Sequence, residues 1–218
     1  MALEGTHIRF AVDSQDLFDV EELYKYISGS IYPDSRYPTG IDRKLTHNDS
    51  QMEQSFWVDD DFRKGWAAHL LYDKIQFDVH TEWFSDILKE TNPNMSNEDD
   101  WIVRTALKTV QDIHDISQFD IKQYLDSLTY TETPNGEADV SIKKYNQLFI
   151  DIYNKAPDVT IEDLEKMWLD WSIPAEIAVK IRIKAYELYV DEKFKPLILK
   201  IYEETLKRKE TFYKKFCT

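Results

Sequence analysis

Apolar residues recur along this chain at intervals of three and four, the spacing that turns one face of an α-helix toward a core. Val20, Leu23, Tyr24, Ile27 and Ile31 mark the first clear stretch, over 19–31, and Pro33 stops it. The longest early pattern spans 59–88 and opens on Asp59-Asp60-Asp61, a charge run suited to a helix N-terminus. After a loop at Thr91–Asn97, Ser96-Asn97-Glu98-Asp99 resembles a capping box and begins a helix with Ile102, Ala106, Val110 and Ile113 on one side. Pro134-Asn135-Gly136 predicts a turn within 131–139. Helices are expected again at 140–155, 160–171 and 174–192, with Thr160 and Asp163 framing one start and Pro174 in a first turn. Pro196 divides or kinks the last stretch, which runs on to residue 215 or so. Strand-like alternation is scarce. The pattern predicts an all-α fold of roughly seven to nine helices in one domain over 1–218, with no internal repeat.

The stretch 59–88 carries more than a core face. At 100° per residue, Asp73, Gln76 and His80 fall within about 40° of His69, and Phe62, Trp66 and Phe84 extend that stripe. Arg63, Lys74 and Asp78 lie on the opposite side, while Ala68, Leu70, Tyr72, Ile75 and Val79 fill the flanks. The polar stripe therefore points away from water, and buried polar groups need partners. A His and an Asp one turn apart, with a second His three turns along, suit Zn²⁺ or a similar transition metal. A buried His–Asp hydrogen-bonded pair that specifies core packing fits the same spacing.

Composition narrows the function classes. The 218 residues include 41 acidic and 27 basic side chains, a formal charge of −14, and only five glycines. No glycine-rich phosphate loop occurs, and the negative charge argues against a sequence-blind nucleic-acid binder. The one cysteine, Cys217, excludes an intrachain disulfide and a CxxC zinc site and fits a reducing compartment. The N-terminus has no basic-then-apolar stretch, and no apolar run reaches the length of a membrane span. A soluble cytoplasmic protein without a signal peptide or transmembrane segment is expected.

Four of the five histidines, His7, His47, His69 and His80, lie in the first 80 residues. Asp34 directly follows Pro33 at a helix end, where it can reach neighbouring helices. His114 follows Val103, Ala106, Leu107 and Val110 on an apolar face and is expected to point inward, as a metal ligand or as a hydrogen-bonded core residue.

Taken in order, Thr6-His7-Ile8-Arg9-Phe10-Ala11, Gly29-Ser30-Ile31-Tyr32-Pro33-Asp34, His47 and the run Phe62-Arg63-Lys64-Gly65-Trp66-Ala67-Ala68-His69-Leu70-Leu71-Tyr72-Asp73 resemble the zinc-dependent phospholipase C and S1/P1-nuclease group over about a third of the chain. The resemblance implies an all-helical metallohydrolase fold with one to three zinc ions, other divalent transition metals being alternatives, that cleaves phosphate esters with a metal-bound hydroxide. It implies that His7 and Asp73 share one metal and His47 and His69 another. Asp34 would bridge two metals and hold the attacking water as the catalytic carboxylate. Two departures stand out. The family's secreted members use a mature N-terminal Trp where this chain has Met1-Ala2, and its HxxxE pair is missing, since Phe84 follows His80 and Gln118 follows His114. His80 and His114 would then complete a mono- or dinuclear site, which places the metal site mainly within 1–115.

The expected partner is a small-molecule phosphoester, with no nucleic acid as a stable partner; the acidic charge favours a neutral or zwitterionic substrate. Specificity would sit in the loops 35–58 and 89–100. Two alternatives remain. His114-Asp115 is also the adjacent pair of HD-type metal phosphohydrolases, with His80 upstream and Asp170 or Asp191 as the last ligand. A di-iron carboxylate bundle is not among them: it needs paired ExxH motifs, and only Glu4-Gly5-Thr6-His7 fits. The other alternative is a non-catalytic helical interaction protein. Trp168, Trp171, Tyr186, Tyr189, Phe194, Tyr202, Phe212 and Tyr213 would serve it as core or groove, and the basic run from Lys207 to Lys215 as a patch for an acidic partner.

Overall fold

Among the described residues, eleven α-helices and three short 3-10 segments make up the regular structure, and no strand occurs. In this computed structural model the described residues are 3–48, 59–91 and 95–216, the side chains of 86–91 excepted. The helices are α1 (Glu4–Ser14), α2 (Leu23–Ile31), α3 (Arg36–Thr39), α4 (Arg43–Thr46), α5 (Asp61–Thr91), α6 (Asn97–Ser117), α7 (Asp139–Tyr153), α8 (Ile161–Asp170), α9 (Ala175–Val190), α10 (Lys195–Ile198) and α11 (Ile201–Phe216). The 3-10 segments are Gln15–Leu17, Tyr32–Ser35 and Ile121–Thr129. The protein is all-α. No helix among the described residues is long and apolar enough to cross a membrane.

Local chemistry sets most of these ends. The Asp60 carboxylate accepts the Phe62 N–H at 3.0 Å and opens α5. Ser96 Oγ accepts the Asp99 N–H at 3.1 Å and opens α6. Thr160 and Asp163 form a reciprocal capping box at α8. Pro196 sits in the first turn of α10, and the last stretch divides instead at residues 199–200, between α10 and α11. Pro174 stands just before α9 rather than inside its first turn, and the helix expected from residue 19 begins at Leu23. Helix α1 and the small α3 and α4 are additions that periodicity does not announce. Cys217, residues 49–58 of the loop 35–58, and residues 92–94 of the loop 89–100 lie outside the described residues.

Helix α5 is the axis of the fold and packs on α1, α2 and α11. Its flanking residues Ala68, Leu71, Tyr72, Ile75 and Val79 are buried, and so is the polar stripe His69, Gln76 and His80. Trp168, Phe194 and Tyr202 belong to the core, whereas Tyr186 and Tyr189 are exposed. The basic run of α11 is largely matched by acids nearby. Arg208 pairs with Glu82 and Glu204, Lys209 with Asp16, and Lys214 with Glu210.

A buried polar network fastens α1 to α6 and α7. The Thr6 N–H donates to Asp112 Oδ1 at 2.7 Å, the Gly5 N–H to the Tyr153 hydroxyl at 2.8 Å, and that hydroxyl to Asp112 Oδ2 at 2.9 Å. Asp115 accepts from Thr6 Oγ1 and Gln111 Nε2, each at 3.1 Å. Burial pushes the Asp112 carboxyl up to about 6 and the Asp115 carboxyl up to about 8, against the opposing pull of Arg9 on Asp115. Both acids therefore hold more protons folded than unfolded. That contribution to stability is complete below the ordinary carboxylate pKa and declines as pH rises through the folded values. Between pH 6 and 8 Asp115 carries most of the decline, at no more than about 1.4 kcal/mol per pH unit. Asp115→Asn, which keeps the shape and cannot titrate, is expected to flatten this segment of a urea-denaturation stability profile. An unchanged slope would place the ionisation elsewhere.

Candidate metal centre

Four separate segments deliver one buried cluster. Helix α1 brings His7. Its first turn has no side-chain cap of its own, and its exposed N–H groups are satisfied across the fold by Tyr153 and Asp112. Asp34 lies in the 3-10 turn Tyr32–Ser35, where Pro33 fixes the backbone at the exit from α2. His47 caps α4, whose end is tied to α5 by Trp66 Nε1 donating to the Thr46 carbonyl at 2.8 Å. Helix α5 contributes His69 and Asp73, one turn apart.

The distances are short. His7 Nε2 lies 3.6 Å from Asp73 Oδ1, and His69 Nε2 lies 3.7 Å from Asp73 Oδ2. His47 Nε2 is 3.3 Å from Asp34 Oδ1 and 3.8 Å from Asp73 Oδ2. The His7 and His69 rings stack with centroids 3.7 Å apart. One ligand atom from each of His7, Asp34 and His69 falls within 4.8 Å of the others, and the same holds for His47, His69 and Asp73. His69 Nδ1 donates to the Ser30 carbonyl at 2.8 Å, which fixes the ring and turns Nε2 toward Asp73.

The electrostatics suit metal ligands. Burial, with the neighbouring rings, pushes His7 well below the usual imidazole range, and burial also lowers His69. Both are therefore neutral bases. Burial opposes ionisation of Asp34, but the His47 and His69 rings outweigh it and hold the carboxyl below its usual range. Asp73 is likewise held well below its usual range, its charged surroundings outweighing its burial. Both nitrogens of His7, Nε2 of His47 and of His69, and Oδ1 of Asp34 are buried without a hydrogen-bond partner. Polar atoms desolvated together in this way, with neutral imidazoles facing anionic carboxylates, fit a divalent transition metal.

His80 and His114 stand apart from both ligand groups. His80 is buried, its ring against Phe84 at 5.6 Å and its charge neighbours Lys108 and Arg104. His114 is only half-buried, beside Arg9, Glu203 and Lys195, and is directed neither into the core nor toward the cluster. The HD-type set is not gathered among the described residues: Asp115 is spent on Thr6 and Gln111, and Asp170 is exposed.

Two further residues beside the cluster have no part in the ligand set that the resemblance implies. Glu4 is fully buried and lines a small cavity with Asp34, and Lys108 faces the same cavity. The available signal was the Glu4-x-x-His7 spacing, which puts both side chains on one face of a helix.

A separate cleft of about 450 Å³ reaches His47 and Asp73. Arg43, Lys74 and Lys215 line it, with Phe77, Phe212 and Phe216 as its apolar wall. The acidic balance of the whole chain therefore does not extend into this cleft. No family model, curated protein or solved structure matches the chain.

Proposed function

We propose that the chain is a metal-dependent hydrolase of small phosphate esters, with a fold like that of the zinc-dependent phospholipase C group. The observation that carries this reading is the convergence of His7, Asp34, His47, His69 and Asp73, from four segments, in two ligand groups that share His69, with Nε2 of each histidine buried and unpartnered. The three histidines and Asp73 would hold Zn²⁺ or a similar ion, with Asp34 shared. A bound divalent cation lowers the pKa of water and offsets charge on a phosphoryl oxygen.

The chain's own groups supply the rest. Asp34, ionised and nearly fully buried, accepts a hydrogen bond from the attacking water and fixes its approach. Arg43, Lys74 and Lys215 attract the anionic phosphoester into the cleft, and the phenylalanines pack against its organic part. The Ser30–His69 hydrogen bond keeps the ring oriented before substrate arrives. The single cysteine suits a reducing, cytoplasmic setting.

Chelated protein reloaded with Zn²⁺ is expected to hydrolyse p-nitrophenyl phosphate or bis(p-nitrophenyl) phosphate, and Asp34→Asn to lower turnover at least ~100-fold. No zinc-dependent turnover of either ester, or full turnover by Asp34→Asn, would overturn the reading.

A further inference from the structure

We propose that Glu4 is a further metal ligand, which with Asp34 holds a second and harder cation in the small cavity they share. The inference rests on the reading above for Asp34; nothing in the family resemblance gives Glu4 a role. Glu4 is fully buried at the first turn of α1, one turn before His7. Its Oε1 is 2.8 Å from the Tyr145 hydroxyl, which also lies 3.0 Å from the Ile31 carbonyl. A tyrosine has one proton, so Glu4 and Ile31 compete for it. The other oxygen, Oε2, is buried with no hydrogen-bond partner, and Asp34 Oδ1 is in the same condition.

Lys108 faces the same cavity, yet it donates a hydrogen bond to neither of those oxygens. The cavity, at about 30 Å³, admits an ion with a water molecule but no organic substrate. Each of the two carboxyl groups that face this cavity keeps one buried oxygen without a hydrogen bond, and a cation would satisfy both. The donor types set its character. Carboxylate oxygens alone favour Mn²⁺, Mg²⁺ or Ca²⁺, whereas the imidazoles of His7, His47 and His69 favour zinc.

The test is calorimetric titration of Mn²⁺ into protein already loaded with Zn²⁺, with manganese EPR as a second readout. The wild-type protein is expected to take up Mn²⁺ without releasing zinc. Glu4→Gln, which preserves shape and the Tyr145 contact, is expected to bind Mn²⁺ at least ~100-fold more weakly while retaining zinc. His69→Ala is expected to lose zinc affinity and keep Mn²⁺. Equal Mn²⁺ affinity in wild type and Glu4→Gln overturns the proposal. So does zinc-loaded wild type that takes up no Mn²⁺, whether or not the variant folds. If the wild type binds zinc through His69 but no Mn²⁺, only this inference falls; if it binds neither metal, the hydrolase reading falls with it.

Discussion

Gly65→Ala is expected to abolish both the stable fold and the metal centre. A Cβ at Gly65 would lie 1.9 Å from the Tyr26 carbonyl oxygen and 2.9 Å from the Ser30 nitrogen. A Cβ at Gly29 would lie 2.0 Å from the Phe62 carbonyl oxygen. The two glycines thus let α2 and α5 touch backbone to backbone, each accepting the other helix where its own side chain is missing. Ordinary carbon contacts need about 3.5 Å, and the obstructing atoms are main chain, so no rotamer change relieves the overlap. The helices would have to separate by more than an ångström along their shared surface. Overpacking commonly costs about 1–3 kcal/mol, and a backbone collision should exceed ~4 kcal/mol, much of a domain's net stability. The site goes with the crossing, because α2 supplies the Ser30 carbonyl and leads to Asp34 while α5 carries His69 and Asp73. Thermal denaturation followed by circular dichroism checks this. Gly40 is the control: its φ is 74° but nothing lies within 4 Å of an added Cβ, so Gly40→Ala is expected to cost only ~1–2 kcal/mol. A Gly65→Ala melting point within a few degrees of wild type would refute the argument.

These glycines show how far the sequence could be read. Their scarcity argues against a phosphate loop, but nothing local marks two of the five as a crossing point, since the contacts join Gly65 to Tyr26 and Gly29 to Phe62, far apart in the chain. The polar stripe of α5 was readable because helical periodicity is a local property, and His69 and Asp73 needed only the angle between them. His7, Asp34 and His47 came from an ordered resemblance. Helix α1 was not readable. It has no cap in its own sequence, and the groups that satisfy its N-terminus, Asp112 and Tyr153, come from α6 and α7. The apolar face before His114 predicts an inward side chain. At the last turns of α6, however, α1 packs on the side that carries Gln111, Asp112 and Asp115, which turns His114 toward Arg9 and Lys195. A one-residue shift of facing at a helix end is decided by the partner helix. Glu4 escaped for the same reason as α1: its burial depends on Tyr145, far along the chain.

Zinc is expected to raise the melting temperature of chelated wild-type protein strongly, and His69→Ala to erase that increase. In the metal-free state several ring nitrogens and the Asp34 oxygen are desolvated without partners, at a cost of about 1–3 kcal/mol for each group left unsatisfied. Zinc at a thousandfold excess over its Kd would add ~4 kcal/mol to the folded state, or roughly 8–16 °C for a chain of this size. His69 belongs to both three-ligand groups, so its removal weakens each of them. The substitution also removes the donor to the Ser30 carbonyl and the ring stacked on His7. A lower melting point in chelator would therefore not by itself identify a ligand. The informative quantity is the difference between zinc and chelator for each variant. It is expected to be large for wild type, close to zero for His69→Ala, and undiminished for His114→Ala, whose ring lies beside Arg9 and Lys195 instead. If His69→Ala keeps the full zinc increment, His69 serves packing alone. If His114→Ala loses the increment, the ligands are drawn from α6 and the cluster on α5 is a hydrogen-bonded core.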